Sequence, residues 1–330
     1  MKKQLFFVAC AALALASCSE KETVEMPKDA AIGFGNTFVG NATRAEIKDG
    51  DIKEFFVFGG NNNGGTQSYT NEFDNVSVKL SGSDWTYTDL RYWTDGLDYV
   101  FNAYAPALPE GTVASVDTDG NGVNFTDFVA TDGSVDLIEA QSVTKSDVTP
   151  SSAGTVDFTF SHILSMIKLT FESEFSDNVK LTVSDIVVKA VPNKASYTGG
   201  AWGAMDAQTV NYAMGNVENL INNADDNNKS GEEIIVIPQH FDTGFTVEFK
   251  VKAEYADGTG VIVDGTKTLT ATLPVKDWAK GNRYNYVAKL NINNIDPDNQ
   301  HYPIEFGDPT VNAWTDYTEG GDVEMPVYGE

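Results

Sequence analysis

The chain has 330 residues, 41% of them apolar and 11% aromatic, which is enough for one large domain or two ordinary ones. Its 22 Lys and Arg against 48 Asp and Glu give a formal net charge of −26, which excludes binding to nucleic acid or an anionic membrane surface because both need clustered basic side chains. Collagen-like, coiled-coil and disulfide-stapled classes are also excluded, since glycine has no period of three, heptads are absent and Cys10 and Cys18 are the only cysteines.

The N-terminus reads as an export signal that ends in a lipidation site. Lys2 and Lys3 precede an apolar stretch, Leu5–Ala16, that is too short to span a bilayer as a mature helix, so residues 1–17 form a signal peptide. Leu15-Ala-Ser-Cys18 follows the lipobox pattern and predicts that Cys18 is diacylated and becomes the mature N-terminus. The open alternative is an ordinary secretory signal with a cysteine near its cleavage site.

From Ala31 onward the apolar residues recur with a period of two, which is typical of half-buried antiparallel strands. The clearest case is Phe245–Tyr255, where Asp257-Gly258 then turns the chain into a hairpin. Two continuous apolar runs, Phe55–Phe58 and Ile234–Ile237, predict central strands buried on both faces. In chain order the strand candidates are Glu54–Phe58, Val76–Leu80, Tyr99–Tyr104, Val156–Phe160, Ile167–Phe171, Leu181–Val183, Ile186–Ala190, Ile234–Ile237, Phe245–Tyr255, Lys267–Leu273 and Arg283–Ile292.

Many short strands without a βαβ alternation predict an all-β fold of the β-sandwich type. Only Val135–Gln141 and Val217–Asn222 are open to interpretation as short helices. Apolar residues sit at even numbers in Val156–Phe160 and at odd numbers in Ile167–Phe171, and this change of parity indicates a domain boundary near residue 162. We therefore expect sandwiches at 45–161 and 162–330, after a segment 18–44.

No pattern of catalytic or metal-binding residues is found. His162, His240 and His301 lack the spacing of a zinc site, and His162 is read as a partly buried residue beside the domain boundary. The glycine-rich stretch 59–65 has no lysine and no strand-to-helix setting, so it is not a phosphate loop. Asp117–Gly122 resembles the start of a calcium loop, but its twelfth position is Phe128, so we interpret it as a hairpin loop. We expect no catalysis, metal or cofactor.

Several short segments, in this order and at this spacing, are similar to those of one known family, and the similarity covers nearly the whole chain. They are the lipobox, Thr43-Arg-Ala45, Phe55-Phe-Val-Phe-Gly59, Tyr92-Trp93, Tyr99–Pro106, Val135-Asp-Leu137, Phe158–Lys168, Trp278–Tyr284 and Val311–Trp314. Together they resemble the fimbrillin family, the subunits of type V pili.

The resemblance implies two tandem β-sandwich domains of transthyretin-like character, exported as a surface-exposed lipoprotein with its lipid anchor in the outer membrane. It also implies that an arginine-specific protease removes an N-terminal segment and that subunits polymerise with other fimbrillin subunits by strand exchange. Carried onto this chain, the lipidated residue is Cys18 and the cleaved bond is Arg44-Ala45.

The residues before that bond fit a removable strand. Ile32, Phe34 and Phe38 lie on one side of an extended chain, and a solvated tether needs no large apolar groups in register. We predict that the first sandwich holds this strand until cleavage after Arg44 frees it and leaves an unpaired edge, which is a template for another strand. The open alternative is that residues 19–44 are only a linker.

The donated strand is expected at the C-terminus. After a turn at Asn293–Asp298 the chain is extended, and Val323, Met325 and Val327 alternate as a set able to fill pockets. The alternative is that the tail packs on its own second domain, because Val311–Trp314 resembles a strand of that domain.

The rival function is a glycan-binding lipoprotein. Trp85, Tyr87, Tyr92 and Trp93, or Tyr197 and Trp202, would form its aromatic platform, although aromatic residues in strands more often belong to the core. A host protein or a glycan is thus a further candidate partner.

Overall fold

The computed structural model of the chain describes residues 31–39, 52–62, 69–117, 119–296, 298 and 302–314. Strands dominate these residues and their one helix is a single turn, which confirms the all-β class. The first ten strands are β1 (Gly33–Val39), β2 (Glu54–Asn62), β3 (Tyr69–Ser81), β4 (Asp84–Thr86), β5 (Leu97–Ala105), β6 (Val113–Val116), β7 (Val123–Val129), β8 (Ile138–Ala140), β9 (Val143–Val148) and β10 (Thr155–His162).

The remaining elements begin three residues after β10 ends. They are β11 (Ser165–Ser173), β12 (Val179–Pro192), β13 (Lys194–Thr198), β14 (Ala201–Trp202), β15 (Thr209–Ala213), β16 (Val217–Ile221), β17 (Asn228–Ser230), β18 (Ile234–Val236), β19 (Thr246–Tyr255), β20 (Val261–Asp264), β21 (Leu269–Thr272), β22 (Asn282–Leu290), α1 (Ile292–Ile295), β23 (Ile304–Glu305) and β24 (Thr310–Ala313).

An eight-stranded sheet forms the first part of the molecule. Its strands lie in the order β1-β10-β8-β5-β2-β3-β4, and β9 pairs with β5. The sheet encloses a core rich in aromatic rings, including Phe55, Phe101 and Phe158. As predicted, β2 is a central strand whose alternate residues are buried on opposite faces, Phe55 in this core and Phe58 in another.

Two sheets pack face to face in the second part. One has the order β17-β11-β22-β24 with β18 beside β11, and the other the order β15-β12-β19-β21-β23 with β16 and β20 attached. Alternate residues of β19 enter the core between them, as the period of two predicts. The predicted hairpin is β19–β20, and Gly258 takes the left-handed backbone conformation at its turn.

A smaller sheet joins segments from the two sides of residue 162. Its order is β14-β13-β7-β6, so β7 of the first part pairs with β13 of the second. It covers a third core that contains Phe125, Tyr197 and Ile163. The domain boundary near residue 162 stays a prediction.

The structure corrects two local expectations. Helices at Val135–Gln141 and Val217–Asn222 are wrong, because these segments contain β8 and β16. Ile234–Ile237 is buried on both faces, as predicted, but β18 is not central: among the described strands it pairs only with β11. Its residues are buried because cores lie on both sides of it.

Candidate functional site

Strand β1 lies at the edge of the eight-stranded sheet. It pairs in parallel with β10, with Phe34 opposite Val156 and Phe38 opposite Thr159. Among the described strands β10 is its only sheet partner. Few backbone hydrogen bonds therefore hold β1, and side-chain burial carries much of its attachment.

The side chain of Phe34 fills a pocket of aromatic rings and is only 6% exposed. Its ring meets the rings of Phe55, Phe73, Tyr87 and Phe101 edge-on, at centroid distances of 5.6–6.3 Å, and stacks on Phe158 at 6.0 Å. Edge-to-face pairs at such distances stabilise beyond simple burial. Because these rings lie on β2, β3, β5 and β10 and on the segment after β4, Phe34 joins distant parts of the sheet.

Ile32 fixes the start of the strand through its backbone. Its N–H donates to the carbonyl of Arg91 at 2.8 Å, and the hydroxyl of Tyr87 donates to its carbonyl at 2.7 Å. One residue earlier, Ala31 forms an antiparallel bridge with Tyr92. The Ile32 side chain is 1% exposed. The chain thus spans the gap between β10 and residues 87–92, and we call the space filled by Ile32 and Phe34 the β1 groove.

Arg91 shapes one wall of the β1 groove. Its guanidinium lies 4.7 Å from the centroid of the Phe73 ring, and its Nε donates to the carbonyl of Glu72 at 2.5 Å. Burial raises the pKa of the Glu72 carboxyl and also that of the Tyr87 hydroxyl. These contacts hold the side chains of this wall in place, and β1 partly buries them.

Gly35 lets β1 approach β10 closely. The register of the two strands shifts between Phe34 and Thr37, which places Gly35 at an irregularity beside Asp157. A Cβ built at Gly35 would lie 2.0 Å from Asp157 Oδ1, 2.7 Å from Thr155 Oγ1 and 3.1 Å from Thr155 Cβ. At Gly33 the nearest atom would be 3.7 Å away, an ordinary contact. Of these two glycines, Gly35 is therefore the crowded one, since a side chain there meets Thr155 Cβ and requires Asp157 to move.

The remaining residues predicted to act at the termini lie outside the described part of the chain. They are Cys18, Arg44, Ala45, Val323, Met325 and Val327. For Phe38 only the backbone is described, and it pairs within β1. Of the predicted released strand, the structure thus places Ile32 and Phe34 in a core and aligns Phe38 with β10.

The described end of the chain packs on the second part of the molecule. This agrees with the alternative stated above, in which Val311–Trp314 is a strand of that part. Strand β23 pairs with β21 and β24 pairs with β22. Trp314 is buried and stacks on His162 at a centroid distance of 4.2 Å, and His162 Nδ1 lies 3.0 Å from Asp136 Oδ1. Any donated segment therefore begins after Trp314.

Most of the aromatic residues considered for a glycan platform pack inward. Trp93 and Tyr197 are buried, and Trp85 meets the ring of Phe55 at 4.7 Å. Trp202 Nε1 donates to the carbonyl of Ile163 at 2.6 Å. These contacts assign Trp85, Trp93 and Tyr197 to the cores, whereas Tyr92 and Trp202 are half-buried and Trp202 also lines a surface pocket.

The other candidate sites have structural roles. Strands β6 and β7 pair in antiparallel fashion as the two arms of the predicted hairpin, and Asp117 Oδ1 accepts a hydrogen bond from the Asn124 amide at 2.6 Å. Within the described ranges no group of three or more His, Cys, Asp or Glu is arranged to hold a metal. No helix among those same residues is long and apolar enough to cross a membrane.

Sequence reasoning missed the walls of the β1 groove. Tyr87 and Arg91, which contact Ile32, and Tyr92, which pairs with Ala31, lie more than fifty residues further along the chain, and nothing in their local pattern signals these contacts. The need for glycine at position 35 was equally hidden, because it arises from the close approach of Asp157, which is distant in sequence.

The chain is similar to known proteins over most of its length. The sequence model of the fimbrillin-like family matches residues 41–314. Fimbrium subunit Fim1C of Phocaeicola vulgatus is 26% identical, over 89% of this chain and 94% of that protein. A solved fimbrial protein from Bacteroides vulgatus has a TM-score of 0.56 at 19% identity, covering 86% of this chain and 99% of that one. A candidate cell adhesion protein from Bacteroides uniformis has a TM-score of 0.51 at 17% identity, covering 88% and 100%.

Proposed function

The chain belongs to the fimbrillin-like family, and we propose that it is a structural subunit of a type V-like pilus or a fimbrillin-like surface adhesin, assembled by strand exchange. The observation that carries this proposal is β1: it supplies two buried apolar side chains but pairs, among the described strands, only with β10. Its removal leaves the β1 groove and an unpaired edge of β10, and such an edge is a template for a strand from another molecule.

Cleavage after Arg44 is the proposed trigger. Burial of side chains such as Ile32 and Phe34 contributes about 1.5–3 kcal/mol each, and ordering costs about 1–2 kcal/mol for each residue. Because ordering offsets part of this gain, a cut strand dissociates when the protein is diluted below the dissociation constant of the strand. While the chain is intact, the tether instead holds β1 at an effective concentration on the order of millimolar.

Arginine specificity suits this chain because it contains only three arginines, Arg44, Arg91 and Arg283. Arg91 is held against Phe73 in the wall of the β1 groove. Arg283 lies within β22, between two paired strands, and its guanidinium meets Glu233 at 3.2 Å. Proteases need an accessible, extended chain, and these contacts restrain both arginines in the folded subunit.

The same cut would release the subunit from its anchor. The lipid on Cys18 and the strand β1 both precede Arg44, so the proposed outer-membrane anchor departs with the strand. The donor is the tail after Trp314, residues 315–330, in which Val323, Met325 and Val327 alternate. The proposed partners are other fimbrillin subunits, the protease and the membrane lipid.

The test uses the lipid-free precursor, residues 19–330, treated with an arginine-specific protease and followed by light scattering after size-exclusion chromatography. We expect release of residues 19–44 and concentration-dependent multimers. Arg44→Ala is the matched control and should remain monomeric under the same treatment. Equal multimer growth by the Arg44→Ala protein would remove the role of this bond.

A further inference from the structure

The β1 groove makes two demands on any strand that replaces β1 along the same path. The position of Phe34 needs a large apolar side chain, because five aromatic rings surround it. The next position must be glycine, because a Cβ at Gly35 would meet both Asp157 and Thr155. The groove therefore selects for a large apolar residue followed directly by glycine.

The second demand has a steric and an electrostatic part. The Asp157 side chain is exposed and can rotate, but its Oδ1 accepts a hydrogen bond from Thr155 Oγ1 at 3.3 Å. The Thr155 Cβ, 3.1 Å from the added atom, is fixed by the strand. A carboxylate at this position would also lie beside that of Asp157, and two like charges at close range repel.

The alternating set in the tail fails the second demand in every register. With Val323 in the place of Phe34, Glu324 falls beside Asp157. With Met325 there, Pro326 takes the position of Gly35, and with Val327 there, the large side chain of Tyr328 does so. Each of these registers forces a side chain into the closest approach between β1 and β10.

One pair in the tail meets both demands. Residues 315–330 contain glycine at 320, 321 and 329, and only Gly329 follows a large apolar residue, Tyr328. In this register Val327 takes the place of Gly33, where a Cβ makes an ordinary contact at 3.7 Å. Pro326 takes the place of Ile32 and keeps the carbonyl that accepts from Tyr87, although it cannot donate to Arg91.

We propose that Tyr328 and Gly329 set the register of strand exchange: in the direction of β1, Tyr328 occupies the pocket of Phe34 and Gly329 lies against Asp157 and Thr155 of the receiving subunit. The inference rests on the proposed function and names the residues through which a second copy of this chain is recognised. The fourteen residues from 315 to 328 span at most about 46–50 Å when extended, which sets how far this contact can lie from Trp314.

The experiment compares variants of the lipid-free precursor after cleavage at Arg44, with multimer growth measured by light scattering. Tyr328→Ala and Gly329→Val should each slow growth at least tenfold, whereas Met325→Ala should stay within twofold of wild type. Gly329→Glu should slow growth more than Gly329→Gln does, because both side chains meet Thr155 but only the carboxylate is repelled by Asp157.

A measurement that does not involve the tail checks the pocket. The uncut Phe34→Tyr precursor should unfold at the same urea concentration as wild type, whereas Phe34→Ala should unfold earlier. An early transition for Phe34→Tyr would overturn the placement of Tyr328.

Different results would contradict the proposed register and the proposed function. If Met325→Ala stops growth while Tyr328→Ala and Gly329→Val do not, strand exchange stands and this register is wrong. If deletion of residues 315–330 leaves growth unchanged, tail donation fails and the register fails with it.

Discussion

Replacing Phe34 with alanine should weaken the first part of the molecule more than any change at its surface. The ring is 6% exposed and lies among five other rings that belong to several strands. Truncating a buried phenylalanine costs about 3–5 kcal/mol, because the lost contacts leave a cavity. With a urea slope of about 1–3 kcal/mol per molar, the unfolding midpoint should fall by about 1 M or more.

Urea unfolding of the uncut, lipid-free precursor measures this loss, with fluorescence of Trp85 and Trp93 reporting on the same core. Leu90→Ala is the control, since Leu90 is 56% exposed beside the same wall and its loss should stay within about 0.5 kcal/mol. A loss below about 1 kcal/mol for Phe34→Ala would refute the view that this side chain holds β1 in its groove.

The same substitution also changes assembly. If β1 is held about 3 kcal/mol less tightly, the open groove becomes about a hundredfold more populated, since each 1.4 kcal/mol is a factor of ten. The uncut Phe34→Ala precursor should therefore form multimers that the uncut wild type does not. Persistence as a monomer at high concentration would separate the stability of β1 from assembly.

Three further predictions concern Gly35, His240 and Trp314. Gly35→Val should destabilise the precursor in urea while Gly33→Ala should not, because only Gly35 lacks room for a Cβ; equal effects would contradict the close approach. Hydrogen bonds to Asp277 and, to a smaller extent, to Asp242 raise the pKa of His240. The attraction between the protonated imidazole and these carboxylates is therefore fully present below a pH of about 6.5 and is lost as the pH rises through the raised pKa. Asp277→Asn should lower the NMR titration midpoint of this imidazole, and an unchanged midpoint would refute the pairing. Trp314→Phe should change thermal stability by less than about 1 kcal/mol, because the buried indole N–H has no hydrogen-bond partner among the described residues, and a large loss would contradict that arrangement.

Local periodicity predicted the long strands β2, β5, β10, β11 and β19 and two of the residues in the β1 groove, but it missed short strands such as β4, β6 and β14. Ile32 and Phe34 alternate in sequence and both side chains are buried in the structure. Their partners follow from tertiary pairing, since β10 lies more than a hundred residues further along the chain. No local signal specifies such a pairing, and the same holds for the contact of β7 with β13.

The two wrong helices have physical causes that the sequence does not reveal. In β16, Val217 and Leu220 lie three residues apart, which mimics a helical period. The left-handed conformation of Asn219 and a register shift against β12 bring both side chains to the core. At the start of β8, Ile138 and the preceding residue Leu137 face two different cores, so consecutive apolar residues occur without alternation.

A reversible lock on β1 tests the central claim most directly. Cys10 and Cys18 are the only cysteines in the chain, so the lipid-free precursor has no thiol of its own. Gly33 and Thr155 are register partners in the β1–β10 pair, and a Cβ at Gly33 lies 3.7 Å from Thr155 Cγ2, so the two side chains meet and Gly33→Cys with Thr155→Cys should link β1 to β10. After cleavage at Arg44, the oxidised protein should stay monomeric and begin to form multimers on reduction. Multimers that grow equally fast with the disulfide intact would show that assembly does not require β1 to leave.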